Sequence, residues 1–178
     1  MKNSYIRNMN FVVLDPNDAE KVCEMSKMAT EILREHYDPI IGIEQNDYML
    51  KRFQSVESIE DQLAHGYRYY FVQTESQNAG FVAFYPKNDV MYLSKFYLYK
   101  NMRGKGFARQ MLSFVVEEAK KLSLNAVELN VNKHNPACQA YEKLGFRIIR
   151  SEKNDIGNGF FMDDYVCRLE VNSICCSR

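Results

Sequence analysis

Asn101-Met102-Arg103-Gly104-Lys105-Gly106-Phe107-Ala108 follows directly on the β-prone run Met91 to Tyr99 and leads into an apolar-periodic segment. From Arg103 to Leu122, Ala108, Met111, Leu112, Val115, Ala119 and Leu122 recur at three- and four-residue steps, the signature of an amphipathic helix. Ala126 to Val131 then reads as a strand. Strand, helix and strand in that order make a β-α-β unit, which requires parallel pairing and a right-handed crossover. Gly104 and Gly106 allow backbone conformations and close approaches that a side chain would block. The first turn of the helix carries unpaired N–H groups and the positive end of the helix dipole, and Arg103 and Lys105 add charge there. Loop and helix together predict a pocket for a phosphate or pyrophosphate.

Two common phosphate loops do not fit. A Walker loop needs G-x-x-x-x-G-K-[ST], which is absent, and a dinucleotide fingerprint needs a third glycine where Arg109 stands. Ala108 comes one place too early to substitute for it. A dinucleotide fold would also place this unit first, not behind three antiparallel strands. Alone, the Gly-x-Gly pair equally fits a plain tight turn. The second informative segment is Asn135-Pro136-Ala137-Cys138-Gln139-Ala140-Tyr141-Glu142-Lys143-Leu144-Gly145-Phe146, which the crossover brings beside the glycine loop.

Outward from this unit, Phe11 to Leu14 is a short strand, and Asp15-Pro16-Asn17-Asp18 ends it with a turn and a helix start. Val22, Met25, Met28, Ala29, Ile32 and Leu33 mark a helix from Ala19 to about Tyr37. Pro39 and Gly42 break that pattern, and Asp38 to His65 suggests two short helices parted near Ser55. Tyr67 to Thr74 and Phe81 to Tyr85 form an antiparallel hairpin turning at Gln77-Asn78-Ala79-Gly80. Pro86-Lys87-Asn88-Asp89 turns into the strand Met91 to Tyr99. Pro136 to Leu144 is a short helix capped by Gly145. Phe146 to Ile149 and Phe161 to Val171 finish the sheet around a loop at Asn154 to Gly159. With residues 38–65 counted once, the order is β-α-α-β-β-β-α-β-α-β-β. That order predicts one α/β domain: a mixed, mostly antiparallel sheet of about seven strands with helices on both faces. The domain spans residues 1–172, and 173–178 read as a fraying tail.

The chain has 178 residues, 46% hydrophobic and 26% charged, within the range of an ordinary globular domain. Twenty-three basic residues balance twenty-three acidic ones, so no bulk field draws the protein toward nucleic acid or an anionic membrane. No apolar run reaches the ~18–20 residues of a membrane span, and Met1 to Arg7 lacks the apolar core of a signal peptide, which points to the cytoplasm. Cys23, Cys138, Cys167, Cys175, Cys176 and the three histidines His36, His65 and His134 lack paired ligand spacing. No metal site is expected; Cys23 and Cys138 read as small apolar packing residues, and Cys175 and Cys176 as part of the tail.

Taken together, the two segments resemble the GCN5-related N-acetyltransferase (GNAT) superfamily. Arg103-Gly104-Lys105-Gly106-Phe107-Ala108 looks like its R/Q-x-x-G-x-G/A pyrophosphate loop, and Asn135 to Phe146 looks like its Asn…Tyr…Gly-Phe segment. The core of the resemblance spans about Gly80 to Val171. The N-terminal half and Asp163-Asp164-Tyr165-Val166 are more weakly similar to the bacterial polyamine acetyltransferase branch. The resemblance implies the acyl-CoA N-acyltransferase fold and acetyl-CoA as co-substrate. Two central strands would splay at a bulge, and the pantetheine arm would lie along the exposed edge Phe96, Tyr97 and Leu98. The Leu98 N–H would polarise the thioester carbonyl, an oxyanion-type contribution. The amides of Arg103 to Ala108 would hold the pyrophosphate, Asn135 would contact the cofactor, and Tyr141 would protonate the departing thiolate.

Many relatives carry a glutamate on the strand before the loop, but Leu93-Ser94-Lys95-Phe96 contains no acid. The base is therefore not identified: Ser94 could at best order a water, and proton loss through a water chain to solvent or to a carboxylate of the N-terminal helices stays open. A small-molecule amine, a polyamine among the candidates, is the expected acceptor, with an amino-sugar antibiotic, a small metabolite amine or a protein N-terminus also fitting. The protein would be a monomer or a homodimer formed through an exposed C-terminal strand. Glu31, Glu35, Asp38, Glu44 and Asp47 could attract such an amine, although a solvated helix face is the more ordinary use of such a run. The missing glutamate keeps open a non-catalytic acyl-CoA-binding module, and the glycine loop keeps open general nucleotide binding.

Overall fold

A computed structural model describes residues 9–75 and 77–172. The chain runs β1 (Met9–Val13), α1 (Ala19–Ile41), α2 (Ile43–Gln54), α3 (Val56–Ala64), β2 (Arg68–Thr74), β3 (Gln77–Lys87) and β4 (Val90–Leu98). It continues through α4 (Phe107–Lys121), β5 (Ala126–Asn132), α5 (Ala137–Lys143), β6 (Arg147–Gly157) and β7 (Phe160–Glu170). The strands form one sheet in the order β1-β2-β3-β4-β5-β7-β6, parallel only between β4 and β5. This is the predicted architecture. Among the described residues no helix is long and apolar enough to cross a membrane.

Local chemistry sets the helix ends. The Asp18 carboxylate accepts the Lys21 N–H at 3.0 Å and starts α1, and the Ser55 hydroxyl accepts the Ser58 N–H at 3.2 Å and starts α3. Pro39 does not end α1 as its sequence suggests. The helix runs on to Ile41 and stops at Gly42, whose φ of 84° begins α2 at once. The alternating side chains of β3 divide the core. Phe81 and Ala83 pack with Val22, Met25 and Ile32 of α1, whereas Val82 and Phe84 pack with Met111, Leu112 and Val115 of α4. Helices α1 to α3 therefore cover one face, and α4 and α5 the other.

Three turns differ from the sequence reading. The β2–β3 reversal lies before Gln77, with Glu75 at a positive φ, and Gln77 to Gly80 belong to β3. Pro86 and Lys87 are also in β3, and the chain reverses at Asn88. Residues 154–157 extend β6, leaving Asn158 and Gly159 as the turn, both at positive φ. In each case cross-strand pairing carries the ladder into residues whose local preference is for turns. The C-terminal strand β7 is not an edge either, because it sits between β5 and β6. The edge on that side is β6, which exposes Ile148 and Ile149. Cys175 and Cys176 lie outside the described residues.

Gly80 is required by geometry: a Cβ there would lie 2.0 Å from the Tyr97 carbonyl oxygen and 2.8 Å from the Leu98 Cα. The glycine lets β3 approach the stretch of β4 that borders the site. Gly80→Ala is expected to destabilise the fold by about 1–3 kcal/mol, the usual cost of overpacking. Denaturant unfolding checks this, and unchanged stability would contradict the close approach.

Candidate active site

The pairing of β4 with β5 is short. Val90, Met91 and Tyr92 match Ala126, Val127 and Glu128, and no pairing follows. On the other side of β4, Lys95 pairs with Ala83 and Leu93 with Phe84, so Ser94 is the extra residue of a β-bulge. Beyond the bulge β4 keeps β3 as its partner and leaves β5. The Tyr99 N–H bonds the Ala79 carbonyl at 2.9 Å. By the alternation of an antiparallel ladder, the main-chain groups of Tyr97 and Lys95 then also face β3, and those of Phe96 and Leu98 face the gap. Arg103 Nε donates to the Leu98 carbonyl at 3.1 Å, which leaves the Leu98 N–H as a donor on the open edge.

The gap is a slot of about 520 Å³ reaching from β4 to α5 and the start of α4. Every sequence-predicted site residue lines it except Lys105, which is exposed. Gly104 has φ 73° and Gly106 φ 82°, with open space around both. Here glycine serves the backbone angle, not a close contact. Gly106 is the N-cap of α4, in the left-handed region and without a side-chain cap, so the first-turn N–H groups of α4 stay available to an anion. Tyr141 packs against Phe96 and Phe146, with ring centroids 6.1 Å and 5.7 Å away, and burial raises its pKa well above the usual phenol range. It stays protonated, the state a hydrogen-bond or proton donor needs.

Asn135 is placed differently from a residue held ready for a ligand. Its Oδ1 accepts the Ala137 N–H at 2.9 Å and lies 3.0 Å from His36 Nε2, and its Nδ2 donates to the Tyr37 hydroxyl at 3.3 Å. It therefore ties α1 to the start of α5 across the mouth of the gap. Burial and the Arg103 charge both lower the His36 pKa, keeping the ring neutral.

A second cavity of about 640 Å³ lies on the opposite face of the sheet, under α1, α2 and α3. It shares Tyr37, Ser94, Tyr97 and Asn130 with the slot, so the two spaces meet through the gap. Sequence reasoning passed over Asn130, although alternation along Ala126 to Asn132 puts Leu129 and Val131 on the α4 face and Asn130 and Asn132 on this one. Lys95 and Asp164 also line the cavity. Desolvation lowers Lys95 to about 8. It raises Asp164, 3% exposed, from 3.8 to about 6, with Asp163 and Glu152 adding repulsion.

The acidic run near α1 does not reach this space. Glu31 accepts from the Tyr99 hydroxyl, Asp38 from Asn46, and Asp47 pairs with Arg34 at 2.6 Å. The carboxylates that line the cavity are Asp164 inside and Glu57 and Asp61, both exposed. Among the described residues no three His, Cys, Asp or Glu side chains converge on a metal position, and Cys23, Cys138 and Cys167 are free.

Residues 38–168 match the family described as "Acetyltransferase (GNAT) domain". The chain belongs to that family, and its reaction class is acyl transfer from an acyl-CoA donor. No curated protein sequence matches the chain. Among solved structures, it is similar to the PaiA N-acetyltransferase of Thermoplasma acidophilum in complex with coenzyme A. The TM-score is 0.73 at 18% identity, over 92% of this chain and 99% of that one. A spermidine N-acetyltransferase chimera of Vibrio cholerae SpeG and hSSAT gives 0.64 at 18% identity, over 93% and 96%. The ribosomal-protein-S18-alanine N-acetyltransferase of Escherichia coli gives 0.63 at 17% identity, over 92% and 94%.

A carboxylate desolvated without a cation beside it costs stability once ionised. Asp164 has a raised pKa, so the cost is absent below about pH 4, grows as pH rises toward 6, and is complete above that. Asp164→Asn, which keeps the shape and removes the charge, is expected to stabilise the protein at pH 8 by on the order of 2 kcal/mol, and by little at pH 4. Thermal unfolding at both pH values checks this; a loss of stability at pH 8 would contradict it.

Proposed function

We propose that the protein transfers an acetyl group from acetyl-CoA to a primary amine of a small molecule by direct attack in a ternary complex. The observation that carries this is the junction at Ser94, Tyr97 and Asn130. Through it a slot suited to an extended donor, on one face, meets an acceptor cavity on the other. A pantetheine arm has the hydrogen-bonding capacity of a strand, and the main-chain groups of Phe96 with the N–H of Leu98, whose carbonyl is taken by Arg103, are what such an arm requires. The amides from Arg103 to Ala108 fit the diphosphate, with the Arg103 and Lys105 charges beside it. With the thioester carbonyl at the Leu98 N–H, negative charge developing on its oxygen is stabilised in a site sheltered from water. Tyr141 lies across the slot, where its hydroxyl protonates the departing thiolate.

The acceptor enters from the other face. The carboxylates of Glu57 and Asp61 at the exposed side of the cavity favour a cationic amine, and a polyamine fits because it has further ammonium groups to leave there. Arg52, on the same side, is turned to the Tyr48 hydroxyl and the Ile156 carbonyl. Absence of an acid on Leu93-Ser94-Lys95-Phe96 favours the second reading, a module that binds acyl-CoA without turnover.

Thiol release from acetyl-CoA across a panel of amines, spermidine included, separates the two. Turnover supports the enzyme; tight acetyl-CoA binding by calorimetry without acceptor-dependent thiol release supports the module. Tyr141→Phe is expected to lower kcat by roughly 10²-fold, the low end for loss of a general acid, and to leave acetyl-CoA affinity nearly unchanged. Full activity in that variant would remove Tyr141 from the mechanism.

A further inference from the structure

We propose that Asp164 receives the ammonium group of the acceptor and takes the proton that the amine must lose before it attacks. This rests on the reading of the second cavity as the acceptor site. Asp164 is almost wholly buried, yet its side chain borders that cavity. Its hydrogen bond from Asn130 Nδ2 is long, at 3.5 Å, and Asn130 itself lines both cavities. The neighbouring cation Lys133 is engaged by Asp163, whose side chain alternates to the other face of β7. A buried carboxylate bordering a cavity, with one weak donor and no ion pair, is an incomplete site. A primary ammonium supplies both the missing charge and the missing donors.

The groups acting on Asp164 come from every neighbouring element. Glu152 is its cross-strand partner on β6, and Asp163 is next to it on β7; both oppose its ionisation. Lys133, after β5, favours it weakly. Toward the cavity the titratable neighbours are the phenols of Tyr92 and Tyr97 on β4 and Tyr37 on α1, with the Cys138 thiol of α5 beyond. All four are held protonated by burial, so Asp164 is the one among these groups that can accept a proton near neutral pH. Lys95, with its pKa near 8, is the competing base.

The proton balance closes. R–NH3+ gives one proton to the Asp164 carboxylate, and the freed lone pair attacks the thioester carbon. The C–S bond breaks, and Tyr141 protonates the sulfur. The second proton of the attacking nitrogen restores the Tyr141 phenol through water as the amide forms. Asp164 then releases its proton to solvent, so acetyl thioester and ammonium give amide, free thiol and one proton.

The test uses Asp164→Asn in the full chain, with spermidine as the probe amine, in two arms. In the first, calorimetry of spermidine binding at pH 7.5 needs no turnover. At least tenfold weaker binding by the variant is expected, and equal affinity overturns the proposal even if the protein proves not to be an enzyme. In the second, kcat/KM is followed from pH 5 to pH 10. The native protein is expected to show an acidic limb near pH 6. In Asp164→Asn that limb disappears and kcat falls by about 10²-fold at pH 7.5, the usual scale for loss of a general base, with part recovered at pH 10 as free amine accumulates. Asp164→Glu restores part of the rate. A limb near pH 6 that persists in Asp164→Asn, or a limb near pH 8 in both proteins, overturns the proposal, the second assigning the proton to Lys95. Glu152→Gln, which alters a neighbouring charge outside both cavities, is expected to shift the limb slightly toward acid and keep the rate.

Discussion

The site depends on two neighbouring strands that begin paired and then part. A parallel pair held by three residues cannot continue once the Ser94 bulge has turned β4 toward β3. The main-chain groups of Phe96 and Leu98 are then left facing a gap instead of a strand. Unpaired backbone groups inside a protein are costly, and a molecule that supplies a strand-like edge relieves that cost. The bulge also decides which face each side chain meets. Leu93 packs toward α4, whereas Ser94 and Lys95 both border the cavity under α1. One inserted residue thus opens the slot and furnishes the space behind it.

The surroundings hold that gap open. Asn135 ties His36 and Tyr37 of α1 to the start of α5, and the Tyr37 and Tyr97 hydroxyls lie 3.3 Å apart where the two cavities meet. Phenols, one lysine and one carboxylate are desolvated together there, and each is pushed toward its neutral form. Such an arrangement costs folding energy that the two apolar halves of the core supply, a familiar balance at reactive sites. Acyl transfer to an amine benefits from it. A neutral nucleophile, a protonated acid and an ionised base can coexist near pH 7 only if their environments hold them apart in acidity.

Much of the fold was legible because its strongest signals are local. The 3.6-residue periodicity of α1 and α4, the helix start at Asp15 to Asp18, the break near Ser55, and the glycines at 104 and 106 each state their own geometry. The β-α-β unit followed from order alone, whereas the slot between Phe96–Leu98 and Tyr141 was implied by the resemblance to the GNAT superfamily. Turn positions were less legible because Gly80, Pro86 and Asn154 favour turns locally and are overridden by cross-strand pairing. The cavity under α1 to α3 was the least legible part. It is built from Lys95, Asn130 and Asp164 on three separate strands, and only the sheet order brings them together. The acidic run from Glu31 to Asp47, conspicuous in sequence, is largely spent on partners within the fold.

Amide hydrogen exchange, followed residue by residue with and without acetyl-CoA, tests the central claim most directly. If the donor lies along the parted edge of β4, the Leu98 N–H and the first-turn amides of α4 become markedly slower to exchange. The Tyr97 N–H, already bonded to β3, changes little, and ATP at the same concentration does not protect Leu98. Protection confined to the glycine loop, with Leu98 unaffected by acetyl-CoA, would contradict the account.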